Sequence, residues 1–219
     1  MYLLHAILAF SIHKPSPESI IQGGSLRTWS YSNMNHAQIT LKTEGRVLDA
    51  DVELWQGPDN TPIKLRVYSD NGRKRPLRAV LRAWNEPNTI AVRNTGPIEF
   101  PILSYISAQN VAYPSQKCLS SFMSIQGGAV RTFPFESCVR RVEMLLKTHG
   151  RPLNSRIEII QGPCNNKQIV ELYTDDGHFR PFFCIIETPG PGNVVRVINT
   201  GPFEFPMFAS IVPRGYYTF

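Results

Sequence analysis

The sequence predicts an all-β fold built as two tandem repeats of an antiparallel β-sandwich-like unit. The repeat itself is the first observation. Gln56-Gly57-Pro58 returns as Gln161-Gly162-Pro163, Lys42-Thr43 as Lys147-Thr148, Gly45-Arg46 as Gly150-Arg151 and Arg75-Pro76 as Arg180-Pro181, each 105 residues later. At the same offset Asn94-Thr95-Gly96-Pro97 becomes Asn199-Thr200-Gly201-Pro202 and Glu99-Phe100-Pro101 becomes Glu204-Phe205-Pro206, while Gln22-Gly23-Gly24 becomes Gln126-Gly127-Gly128 at 104. The second observation is alternation with period two, the pattern of a half-buried strand. Ala50, Val52 and Leu54 alternate with Asp51, Glu53 and Trp55; Ile63, Leu65 and Val67 alternate with Lys64, Arg66 and Tyr68. The third is punctuation: strand-sized runs are separated by Gly, Pro, Asn and Asp, and no stretch carries a helical period.

Taken in order, the chain divides into five parts. Residues 1–18 are an apolar segment, Met1 to Phe10, and a breaker-rich tether at His13-Lys14-Pro15-Ser16-Pro17. The apolar run is far shorter than the roughly 20 residues needed to span a bilayer, and it lacks the basic flank of a secretory signal. No other segment reads as a membrane span. The first β repeat covers residues 19–106, with a hairpin turn expected at Ser69-Asp70-Asn71-Gly72 because Asn-Gly accepts positive φ. Residues 107–121 read as a linker outside both cores. The second β repeat covers 122–212, where Ile157 and Ile159 replace Val52 and Leu54, and Val195 and Val197 replace Ile90 and Val92. An aromatic tail, 213–219, ends in Tyr216-Tyr217-Thr218-Phe219.

Composition narrows the function classes. The net charge of +6 is spread along strand-like runs, with Arg73-Lys74-Arg75 as the one cluster, so it reads as a solvated or partner-facing surface rather than a nucleic-acid site. With only 18% charged residues, part of the surface is expected to be covered by protein. The four cysteines, Cys118, Cys138, Cys164 and Cys184, have no counterparts in the first repeat and form no C-x-x-C pair, which points to reduced, isolated thiols. Neither a disulfide nor a zinc site is expected. Of the histidines in the second repeat, His149 and His178 align with Glu44 and Arg73, and no metal or nucleophile motif occurs. Glu53/Glu158 and Glu99/Glu204 are shared carboxylates, but their settings read as structural. Gly23-Gly24 and Gly127-Gly128 lack the Lys-Ser/Thr and the helix that a phosphate loop requires. What the two repeats share is residues that set the chain path, Gly and Pro above all. The chain therefore reads as a structural or binding protein, not an enzyme, with no cofactor.

At the shared strings the chain resembles the diatom pyrenoid shell proteins. The carrying residues are Val52-Glu53-Leu54-Trp55-Gln56-Gly57-Pro58-Asp59-Asn60-Thr61-Pro62, Arg66-Val67-Tyr68, Asp70-Asn71-Gly72, Arg75-Pro76, Asn88 to Gly96 and Glu99-Phe100-Pro101. In the second repeat they are Arg180-Pro181-Phe182, Ile185-Ile186-Glu187-Thr188-Pro189 and Gly192-Asn193. The resemblance implies two halves related by a pseudo-twofold axis. It also implies self-assembly into a sheet-like shell around the Rubisco matrix of the chloroplast pyrenoid, at the stromal pyrenoid periphery, in support of CO2 fixation. The implied partners are further copies of the chain, with Rubisco or pyrenoid matrix proteins beside them. The family supplies no catalytic residues, and the long plastid-targeting presequence of the family is not evident here.

The candidate assembly contacts are Trp55, Tyr68, Trp84 and Tyr173, which alternate outward on strands, and Tyr216, Tyr217 and Phe219 in the tail. Exposed aromatic surface of this kind marks protein contacts. The rival reading is a tandem β-sandwich carbohydrate-binding, lectin-like module in which Trp55, Tyr68 and Trp84 stack on sugar rings. Among those three only Tyr68 has an aromatic counterpart, Tyr173.

Overall fold

The computed structural model describes residues 18–84, 87–162 and 165–217. The apolar start and tether, Cys164 and Phe219 lie outside the described residues. In the first half the strands are β1 (Ser19–Ile21), β2 (Leu26–Tyr31), β3 (His36–Lys42), β4 (Leu48–Gln56), β5 (Asn60–Ser69), β6 (Leu77–Arg82), β7 (Asn88–Asn94) and β8 (Ile102–Ser107). A short helix, α1 (Gln116–Ser120), follows. The second half continues with β9 (Met123–Ile125), β10 (Val130–Pro134), β11 (Val139–Lys147), β12 (Leu153–Gln161), β13 (Asn166–Thr174), β14 (Phe182–Glu187), β15 (Asn193–Asn199) and β16 (Met207–Tyr216).

These strands form two eight-stranded antiparallel sheets packed as a sandwich. Sheet A has the order β1-β8-β3-β6-β14-β11-β16-β9, and sheet B the order β10-β15-β12-β13-β5-β4-β7-β2. If each strand of the first half is matched to the strand eight places later, both orders are palindromes. The halves do not stand as separate sandwiches. Each sheet runs unbroken through the middle of the molecule, and one hydrophobic core lies between the sheets along their whole width. The alternation read from the sequence produces this core: Ala50, Val52 and Leu54 of β4 and Ile63, Leu65 and Val67 of β5 are all buried. Their partners in the second half, Ile157 and Ile159 of β12 and Val170 and Leu172 of β13, continue it. Each such aliphatic side chain contributes about 1.5–3 kcal/mol on burial.

Three local features refine the reading from sequence. Ser69-Asp70-Asn71-Gly72 is not a hairpin turn, because β5 belongs to sheet B and β6 to sheet A. The segment is a corner between the sheets, and its glycine answers to crowding: a Cβ on Gly72 would meet Thr43 Oγ1 at 2.6 Å. Thr43 Oγ1 in turn donates to the carbonyl of Arg46, which also accepts the amide of Gly72. The hairpin turn that does need positive φ is Gln56-Gly57-Pro58 between β4 and β5, with Gly57 at φ 70°.

The linker is also more than a tether. It lies on the outer face of sheet A, where buried Cys118 packs with Val80, Leu145, Phe183 and Val212 in a second, smaller cluster. Ser115 caps α1 by accepting the amide of Cys118. The tail is likewise part of the fold as far as Tyr216. β16 carries Pro213 and Gly215 within its pairing to β11, across a bulge at Arg141. Arg214 donates to Glu143 Oε2 at 2.7 Å and to the Tyr113 carbonyl. Glu143 is fully buried and also accepts from Ser115, so one carboxylate ties the terminal strand to the linker.

Candidate assembly surface

A pseudo-twofold axis passes through the seams where the halves meet, and its position follows from register. In sheet B, Arg66 of β5 pairs with Glu171 of β13, and these two residues are each other's counterparts in the repeat. In sheet A, Ala79 of β6 pairs with Cys184 of β14, again counterparts. On the inner side of sheet A the axis is lined by two small side chains. On the outer side of sheet B it is lined by opposite charges.

Those charges form a row across four strands. Arg66 is bonded to Asp51 of β4 at 2.9 Å and to Asp49 at 2.8 Å, it faces Glu171 across the seam, and Glu171 bonds to Arg156 of β12. The order Asp51, Arg66, Glu171, Arg156 alternates in sign. Burial opposes the charge on Arg66, but the bond to Asp51 and the charges of Asp51 and Asp49 outweigh it and raise its pKa. The row borders a shallow groove of about 560 Å³ that also includes Lys64, Tyr173 and Thr200. Further along the face, Glu158 accepts from Arg156 at 2.7 Å and from Arg196 Nε at 2.6 Å. Burial would raise the pKa of Glu158, yet the two arginines overcome it and hold the carboxyl below the usual carboxylate value of 4.5.

Flanking the axis are two equivalent polar joints. Arg75 Nη2 donates to Gln161 Oε1 at 2.8 Å, and Arg180 Nη2 donates to Gln56 Oε1 at 2.9 Å. Nη1 of Arg75 binds Asp70 and Nη1 of Arg180 binds Asp175. Both arginines are nearly buried, at 4% and 7% exposed. The shared Gln-Gly-Pro and Arg-Pro motifs thus serve each other across the halves. The sequence shows that the motifs recur; it does not show that each arginine reaches the opposite copy's glutamine.

The string Asn94 to Pro101 and its copy cap the strand ends where the chain crosses from β7 to β8 and from β15 to β16, with Thr95 bonded to Asp49 of β4 and Arg66 of β5. Asn94 Nδ2 donates to the carbonyls of Ile21 and Phe100, and its Oδ1 accepts the amide of Gly96. Asn199 does the same with Ile125, Phe205 and Gly201. Arg46 lies over the ring of Phe100 and Arg151 over that of Phe205. The turns at Gly23 and Gly127 pack so closely on these loops that a Cβ would fall 1.9 Å and 1.8 Å from the carbonyl oxygens of Pro97 and Pro202.

The aromatic residues singled out from the sequence are dispersed over this surface. Tyr68 and Tyr173 lie exposed on sheet B either side of the axis, opposite Ile169 and Lys64. Trp55 is half-buried on the same sheet, its indole donating to Glu53 at 2.7 Å. Trp84 follows β6 of sheet A, exposed, with its ring 5.3 Å from that of Phe179 and beneath the Arg180 guanidinium. Next to it is a pocket of about 510 Å³ lined by Asn35, His36, Arg82, Ala83, Trp84 and Phe179. Burial, and secondarily the charge of Arg82, lowers the His36 pKa. Tyr216 is exposed at the end of β16, and the amide of Tyr217 donates to the Cys138 carbonyl at 2.8 Å. Phe179 and the exposed Ile98 and Phe203 had no place among the sequence candidates. For the last two the signal was present, since they occupy the same place in the longest shared string.

Among the described residues no group of three or more His, Cys, Asp or Glu is arranged to hold a metal ion, and no helix is long and apolar enough to cross a membrane. Cys118, Cys138 and Cys184 are free thiols, and burial raises the pKa of Cys118 and Cys184.

Comparison with known families assigns the chain. The family described as "Diatom pyrenoid shell protein" matches residues 13–213. The chain belongs to this family. No curated protein sequence matches it significantly. Among solved structures, it is similar to the PBSX exported protein XepA, at 8% identity and a TM-score of 0.30, over 90% of this chain and 86% of that one. YhhW from Escherichia coli is similar at 8% identity and a TM-score of 0.24, covering 83% and 78%. The CBM22-1–CBM22-2 tandem domain of Paenibacillus barcinonensis Xyn10C is similar at 9% identity and a TM-score of 0.25, covering 92% and 95%. Membership of the shell family makes this a structural protein of the pyrenoid, and so of the chloroplast.

Proposed function

We propose that the chain is the repeating unit of a self-assembling, sheet-like shell that encloses the Rubisco-containing pyrenoid at its stromal periphery and so supports CO2 fixation. The observation that carries this reading is the family match over residues 13–213. The architecture supports it: the palindromic strand orders give one molecule two near-equivalent ends, and contacts between such ends that do not close on themselves extend into open arrays. In this reading residues 19–106 and 122–212 are the duplicated β repeats and the chief partner is another copy of the chain, with Rubisco or pyrenoid matrix proteins against one face. Trp55, Tyr68, Trp84, Tyr173, Tyr216 and Tyr217 are candidates for the contacts. Purified protein viewed by negative-stain microscopy is expected to form extended sheets or tubes. A chain that stays a dispersed monomer over a wide range of concentration and ionic strength overturns the reading.

A further inference from the structure

Exposed apolar side chains lie on the edge strands of both sheets and on the loop tips that pack against the turns joining those strands. Ile98 is 75% exposed at the tip of the β7–β8 loop, and its counterpart Phe203 is 74% exposed at the tip of the β15–β16 loop. On the outermost strands of sheet B, Leu26 of β2 and its counterpart Val130 of β10 are exposed; on the outermost strands of sheet A, Ile20 of β1 and Met123 of β9 are exposed. Isolated exposed apolar residues are ordinary. These differ in two respects. The tips and the sheet B pair recur at equivalent places at both ends, as Ile20 and Met123 do not, and the two tips stand on loops fixed by the asparagine bonds, the arginine–phenylalanine stacking and the close glycine packing described above. A rigid tip loses little conformational freedom on docking.

Charge indicates what the ends meet. Next to each tip is an exposed carboxylate, Glu99 or Glu204, and each sheet B edge strand carries an exposed guanidinium, Arg27 or Arg131. None of the four forms an ion pair among the described residues. Each end therefore offers one acidic and one basic group beside an apolar tip, and is complementary to another such end. Among the described residues the edge strands β1, β2, β9 and β10 also have one side unpaired, open to a strand from outside.

We propose that the two lateral ends are the surfaces through which one copy joins the next. In this contact the Ile98 or Phe203 tip packs on the edge-strand apolar residues of a second copy, and Glu99 or Glu204 meets Arg27 or Arg131 of that copy. The ends lie across the full width of an eight-stranded sheet, roughly 34 Å between outer strands. Joining them end to end leaves a free end on each added copy, so the contact extends into a row. The proposal rests on the shell reading and names the residues that make one direction of its lattice.

The test compares the full chain with two sets of variants, using far-ultraviolet dichroism and thermal melts for the fold, and sedimentation with microscopy for assembly. Ile98→Asp with Phe203→Asp is expected to melt as the wild type does, while raising the concentration needed for sedimentation by about tenfold or more, as loss of a central apolar contact does. Glu99→Arg with Glu204→Arg is expected to impair assembly similarly, and adding Arg27→Glu with Arg131→Glu to restore it. If the aspartate variant does not fold, the charge-reversal set decides. Variants that sediment at the wild-type concentration with the wild-type lattice overturn this proposal and leave the shell reading intact. A wild-type chain that forms no array overturns both.

Discussion

Arg75 and Arg66 both look across the seam at the other half of the chain, yet only one of them is the same residue in both halves. The counterpart of Arg75 is Arg180; the counterpart of Arg66 is Glu171. The difference follows from where each lies relative to the axis. Arg75 is off the axis and meets Gln161, and by the same rotation Arg180 meets Gln56. A single pair of identities makes both joints, so nothing is gained by change. Arg66 lies on the axis and meets its own counterpart. Identical residues there would put two like charges directly opposite on paired strands, which is destabilising. The second half reverses the sign of the whole pair, with Arg156 and Glu171 in place of Asp51 and Arg66, and the row alternates.

This comparison can be broken first at the joints. Arg75→Ala and Arg180→Ala each remove a guanidinium from a partly buried carboxylate and a glutamine, at a cost of about 1–3 kcal/mol, although Asp70 keeps its second bond, to Lys167 at 3.2 Å. Chemical denaturation should return similar losses for the two single variants. A loss confined to one would show that the joints are not equivalent.

The axis itself gives a smaller effect. Glu171→Arg places a third arginine between Arg66 and Arg156 and should cost roughly 1 kcal/mol, since the groups are partly exposed. Thermal melts at low salt and at 1 M salt should show the deficit shrinking as the repulsion is screened. An equal deficit at both would assign the loss to packing instead.

The smallest effect is pH-dependent and tests the contrast between Glu158 and its counterpart Glu53, which accepts from the Trp55 indole rather than from arginines. The pKa of Glu158 is lowered in the folded chain, so its contribution is present above the usual value of 4.5 and is lost as pH falls through the folded value. Glu158→Gln should therefore be less stable than the wild type at neutral pH, with the gap narrowing in melts taken at progressively more acidic pH below 4.5. A gap that does not change with pH would remove Glu158 from the acid limb.

The fold class was legible because alternation such as Ala50-Asp51-Val52-Glu53-Leu54 reports burial on one face directly. The repeated turns were legible because glycine and proline name their own backbone demands. Which sheet each strand joins was not. Asn71-Gly72 has the composition of a hairpin turn, but Gly72 is small because Thr43 presses on it from another strand, a long-range fact that local sequence does not carry. The tail misled for a related reason. Pro213 and Gly215 look like breakers, while at the edge of a bulge opposite Arg141 they sit within a strand. Of the surface, the aromatic candidates were found by type, whereas Ile98 and Phe203 become conspicuous only once their loops are seen to be fixed and fully outward.

The two seams are unequal. In sheet B the halves are joined over seven register pairs, from Gln168–Ser69 to Thr174–Ile63, and in sheet A over two. Tension applied across the width of the sandwich runs along the inter-strand hydrogen bonds, because these lie perpendicular to the strands. The longer seam carries more of that load, and the shorter one yields first. The chain is in effect a plate with a stiff skin and a compliant one, which under strain flexes about sheet B and parts at sheet A. Flexure of this kind has a fixed sense relative to the two faces.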